Sequence, residues 1–141
     1  MNDPSKLMED EINHLKQEEV FDLENLIVDG ANARIHVEVD FPVYKDGELK
    51  HMTYGAIIRP LPSNTFTNAT QIGLKNPDTD VNTEIVKAGL CTKDGEPFPS
   101  DLVGKLPVGV IIKLANKICE ISGIEANQNE QERLVREVMG F

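Results

Sequence analysis

Three histidines, two cysteines and one run of alternating acids are the residues here whose types suit metal or nucleophilic chemistry. His14 has no candidate ligand at helical spacing apart from Glu11 and Glu18. His36 and His51 fall in neighbouring stretches of alternating pattern. The pairing that matches their apolar residues sets His36 opposite Ile57 and His51 opposite Pro42, several residue pairs apart. Metal bonds of about 2 Å do not bridge that gap. "NPDTDVNTE" places Asp78, Asp80, Asn82 and Glu84 at alternate positions, as a calcium loop does. Its sixth position is Thr83 where a glycine is needed, and its twelfth is Gly89 where a bidentate glutamate is needed. Helix capping accounts better for these acids. Cys91 and Cys119 have no ligand spacing and no base that pairs with them, so free thiols in a reducing compartment are the expectation. No glycine-rich phosphate loop, nucleophile elbow or zinc-helix motif occurs. The residues point to no catalytic site, no cofactor and no metal.

The elements that would position these residues are legible in the hydrophobic pattern. The chain has 141 residues, 40% apolar and 27% charged, as expected of a globular protein with its own core. No apolar run approaches the roughly 18 residues of a membrane span. The acidic start, "MNDPSKLMEDE", lacks the apolar region of a secretory signal, and a cytoplasmic location is expected. The net charge is −10, and residues 1–30 carry nine acids and two bases, or −7 of it. Such a chain repels nucleic acid and anionic lipid, and its acidic lobe suits a basic partner or mimicry of DNA.

The expected fold is α+β: an N-terminal acidic helix, one antiparallel β-hairpin and a C-terminal αα-hairpin. Residues 1–28 read as an acidic helical arm. Asp3 and Pro4 start it, and apolar residues recur at Met8, Ile12 and Leu15, then at Val20, Leu23 and Ile27. The stripe shifts near residues 16–19, where a kink is expected, and Asp29–Gly30 reads as the end. Residues 31–141 read as one domain. Its hairpin, 34–59, alternates Ile35, Val37, Val39 and Phe41 with polar residues, and "KDGE" makes the turn. Facing Tyr44 with Leu49 sets Phe41 opposite Met52, Val39 opposite Tyr54, Val37 opposite Ala56 and Ile35 opposite Ile58. All apolar partners then share one face, which a one-residue slip would destroy. A two-stranded ribbon is marginal alone, so a third strand or covering helices must join it.

After Pro62 the chain is polar, with one or two helical turns. Helices follow at 80–89, capped by Asp80 with Val81, Ile85 and Val86 inward, and at 100–105, capped by Ser100. In the next helix, 107–122, the polar residues Lys113, Asn116, Lys117 and Glu120 make one narrow stripe. A helix wet on one stripe is buried on its other sides, with Ile111, Leu114, Ile118 and Ile121 as the core. Gly123 and Ile124 fit a Schellman ending. Asn127 and Glu130 resemble a capping box for the last helix, 127–139.

At "VNTEIVKAGLCTKDGEPFPSDLVGKLPVGVIIKLANKICEISG", residues 81–123, a resemblance appears. A short helix reaches Gly-Leu, a proline-containing loop and short turn lead to Leu-Pro, and a long apolar helix stops at Ser-Gly. With the hairpin before it and its "IIRPLP" exit, this order resembles the small tail assembly chaperones of tailed bacterial and archaeal viruses. The resemblance covers residues 31–123 and does not place the acidic N-terminal helix. It implies a non-enzymatic protein of the host cytoplasm that binds the tape measure protein and assists assembly of the tail tube. It supplies no catalytic residue. Homo-oligomer formation is compatible with it. A structural tail or neck subunit of the virion and an acidic DNA-mimic inhibitor are the alternatives. For a helical, apolar partner, the candidate contacts are Leu134, Val135, Val138, Met139 and Phe141, where the last helix presents its apolar side.

Overall fold

The computed structural model describes residue 20 and residues 22–124. Among these the order is α1 (Leu23–Asn32), β1 (Ile35–Lys45), β2 (Glu48–Ile58), α2 (Ser63–Lys75), α3 (Val81–Gly89), β3 (Leu90–Cys91), α4 (Ser100–Val103) and α5 (Val108–Ile121). The fold is α+β, with five helices and one antiparallel sheet of order β1-β2-β3 among the described residues. The expected kink near residues 16–19 and the last helix, 127–139, lie outside them.

The β1–β2 hairpin has the pairing that the alternation dictates. Ile35 faces Ile58, Val37 faces Ala56, Val39 faces Tyr54, Phe41 faces Met52 and Tyr44 faces Leu49. Asp46 and Gly47 both adopt positive φ, 54° and 76°, as the tight two-residue turn of a right-twisted hairpin requires. One face of the ribbon packs into the core through Val39 and Ile58, with Ile35, Val37 and Ala56 beside them. Across it lies α5, whose Ile111, Leu114, Ala115, Ile118 and Cys119 are buried, while Ile121 is half-buried. Helix α3 packs on α5 and buries Ile85, Val86 and Gly89. Asp80 caps it: Oδ1 accepts from the Thr83 N–H at 2.8 Å, and Oδ2 from the Thr83 hydroxyl at 3.0 Å. The Schellman ending of α5 is complete. Gly123 has φ +91°, its N–H donates to Glu120 O, and Ile124 N–H donates to Cys119 O at 2.9 Å.

Four expectations need correction. Residues 63–75 are a full helix of 13 residues rather than one or two turns. Its inward stripe is buried Ala69 and Thr70 with half-buried Phe66 and Gly73, at helical spacing and, Phe66 aside, too small or polar to register as apolar. Gly73 is required there by space, because a Cβ would lie 2.5 Å from the Val81 backbone. The third strand that the ribbon was expected to need is present as Leu90–Cys91, which pairs with Ile57 and Ile58. Helix α1 runs through Asp29–Gly30 to Asn32 instead of ending there. Helix α4 stops at Val103, and Pro99 rather than Ser100 holds its N-cap position. Finally, α5 is more open than its composition suggests. Val108 is 74% exposed and Ile112 44%, so a second side beside the polar stripe is uncovered.

Candidate interaction surfaces

Strand β3 covers only the last two residues of β2. Arg59 N–H donates to Gly89 O at 2.9 Å on that side. Because backbone groups alternate in direction along a strand, Gly55, Thr53 and His51 aim their N–H and C=O groups toward the same, now uncovered, edge. Beside this edge is a groove of about 730 Å³. The hairpin contributes Val39, Phe41, Tyr54 and Ala56, the β3 region Cys91 and Phe98, and the approach to α5 with its first turns Leu106, Pro107, Val110 and Leu114. Its polar lining includes His36, Thr92 and Lys93. This groove is not legible in the sequence, because its walls come from three separate stretches joined only by the fold. The exposed side chain of Tyr54 was the trace available: it sits on the otherwise apolar face of the hairpin yet is 43% exposed.

A second surface is α1. None of its residues is buried. Leu23, Leu26 and Ile27 are 78%, 65% and 71% exposed, and Val20 just before the helix is equally open. The only charged residues of this stretch, Asp22, Glu24 and Asp29, are acids. Arg34 fastens the exit of α1 to the domain. Its Nε donates to Gly95 O at 2.8 Å and its Nη1 to Ala33 O at 2.7 Å and Ala31 O at 3.1 Å.

The residues considered for chemistry are dispersed. His36 pairs with Ile57 and His51 with Pro42, six positions apart along β2, or about 20 Å. Glu84 accepts from the Thr79 hydroxyl at 3.0 Å and pairs with Lys87 at 3.1 Å, so it serves α3 locally. Cys91 and Cys119 are free and buried, and burial pushes the Cys119 thiol up to about 11. Among the described residues no group of three His, Cys, Asp or Glu side chains converges as a metal site. No described helix is long and apolar enough to cross a membrane. His14 and the candidate contacts Leu134, Val135, Val138, Met139 and Phe141 lie outside the described residues. No protein family model, no curated protein and no solved structure matches the chain.

Proposed function

We propose that this protein is a non-enzymatic assembly factor that holds an apolar segment of a long helical partner, as a tail assembly chaperone holds the tape measure protein. The observation that carries the reading is the open apolar groove between β2, β3 and α5. Its walls offer Phe41, Tyr54, Phe98, Leu106 and Val110, a lining suited to apolar side chains at helical or alternate spacing. The succession α3, proline-containing loop, α4, Leu-Pro and α5 is also the part of the chain that resembles those chaperones. On this reading the protein acts in the host cytoplasm, and Leu134, Val135, Val138, Met139 and Phe141 extend the contact surface beyond the groove.

Two other roles fit less well. A DNA mimic presents a field of carboxylates, whereas α1 presents Leu23, Leu26 and Ile27 to solvent. A structural tail subunit is favoured by the long unpaired edge of β2, which invites strand pairing between copies. The content of purified particles separates the subunit from the chaperone, which is needed for tails and absent from them.

Co-expression with the tape measure protein tests the proposal directly. Tyr54→Asp lies at an exposed position and leaves the fold intact. It is expected to leave the tape measure protein insoluble where the unaltered chain keeps it in solution. A folded Tyr54→Asp protein that still solubilises it removes the groove from the mechanism.

A further inference from the structure

A ten-residue helix with no buried residue does not hold its shape in water, since helices under about 12–15 residues depend on a buried face. Helix α1 has such a face in Leu23, Leu26 and Ile27, at the i, i+3, i+4 spacing of groove-binding anchors, and all three are exposed. The groove at the open edge of β2 has the converse form, an apolar trough facing solvent. We propose that the two belong together in a dimer, with α1 of each protomer lying in the groove of its partner.

Charge, connection and symmetry select this occupant. Around α1, Asp22 and Asp29 flank one side of the apolar stripe and Glu24 the other, and no base accompanies them. The groove is lined by no carboxylate, and its basic groups are His36 and Lys93. In a chain of net charge −10, such a trough suits an acidic helix. Two α1 helices paired with each other would instead set carboxylates against carboxylates. The connection excludes a protomer's own groove. Only Ala33 and Arg34 separate α1 from β1. The Arg34 guanidinium holds both sides of that link, donating to Ala31 O in the last turn of α1 at 3.1 Å and to Gly95 O of the body at 2.8 Å. Folding α1 back along the sheet would break this clamp. The same clamp sets the root of α1 beside one end of the groove, since His36 follows Arg34 by two residues and Lys93 precedes Gly95 by two. An arm rooted beside its own groove and lying in a neighbour's is matched by the neighbour's arm, so a twofold axis closes the pair. Two such contacts bury twice the area of one, toward the roughly 1,200 Å² in total of a specific interface. Where the groove also takes the partner proposed above, that partner displaces α1, but the dimer does not rest on that reading.

Sedimentation velocity on the full chain, at about 1–100 µM, tests it by mass action. The unaltered chain is expected to pass from monomer to dimer within that range. Leu26→Asp on α1 and Tyr54→Asp in the groove alter exposed side chains, so both keep the core. Each is expected to weaken the dimer at least about tenfold, because a carboxylate enters an apolar contact. An equal mixture of the two variants still has one intact α1 and one intact groove, on different chains. It is expected to associate more tightly than either variant alone. An unaltered chain that stays monomeric at about 100 µM overturns the proposal. So does a dimer indifferent to Leu26→Asp, which assigns the contact to another surface, such as paired β2 edges. A dimer lost in Leu26→Asp and kept in Tyr54→Asp also overturns it and places α1 elsewhere, such as on Val108 and Ile112 of α5. A mixture no tighter than its components does the same. Solubilisation of the tape measure protein is a separate readout, and Leu26→Asp leaves the groove free for it.

Discussion

At the scale of single residues, the groups that look reactive in the sequence are occupied with structure. Asp80 is a helix cap, Glu84 accepts from Thr79 and Lys87, and the two histidines of the hairpin stand about 20 Å apart. Cys119 shows the same point quantitatively. It lies on the buried side of α5, where a thiolate would lose its hydration, and its pKa rises from 9.0 to about 11. The nucleophilic form is then scarce in the folded protein at any ordinary pH. Cys119 is expected to resist alkylation at pH 8 and to react only after unfolding, which mass spectrometry with and without urea reads. The sign of the linked stability follows. Between pH 9 and 11 the unfolded chain ionises this thiol and the folded chain does not, so stability falls as pH rises through that window. Rapid alkylation of folded protein at pH 8 would mean that α5 opens far more often than its burial implies.

At the scale of elements, legibility depended on how far each segment's pattern was its own. The hairpin register was readable because Ile35, Val37, Val39 and Phe41 alternate over a long strand, and only one pairing buries them together. The end of α5 was readable because Ser-Gly-Ile encodes a backbone motif locally. By contrast, α2 hides its stripe in buried Thr70 and in Gly73, whose close approach to Val81 of α3 no hydropathy pattern reports. Strand β3 is two residues long and exists only because β2 is beside it. The groove was illegible for the same reason, and the end of α1 was misjudged because Asp29–Gly30 mimics a stop. The central element, α5, carries a sharp expectation. Ile118 is fully buried and fills the space at Gly89 of α3, where an added Cβ would lie 2.8 Å from it. Ile118→Ala is expected to cost roughly 2–5 kcal/mol in urea unfolding with an unchanged m-value. A loss under about 1 kcal/mol would show that α3 and α5 are not the centre of the fold.

At the scale of the whole molecule, the described residues divide into a packed body and one element that contributes nothing to its core. The body joins β1, β2, α2, α3 and α5 through a continuous cluster that includes Val39, Ile58, Ala69, Val86, Leu114 and Ile118. Helix α1 supplies none of these residues, and Arg34, just outside it, ties its exit to the domain by donating from Nε to Gly95 O. Removing residues 1–28 therefore deletes exposed apolar surface and six units of net negative charge while leaving the cluster intact. Loss of that charge reduces self-repulsion, which acts in favour of the folded state. Exposed positions contribute within about 0.5 kcal/mol each, so the melting temperature is expected to change by less than about 4 °C. Calorimetry of the shortened chain checks this at low and high salt. Hydrogen exchange on the same sample should show α3 and α5 protected as before. An unfolded product would place residues 1–28 in the core.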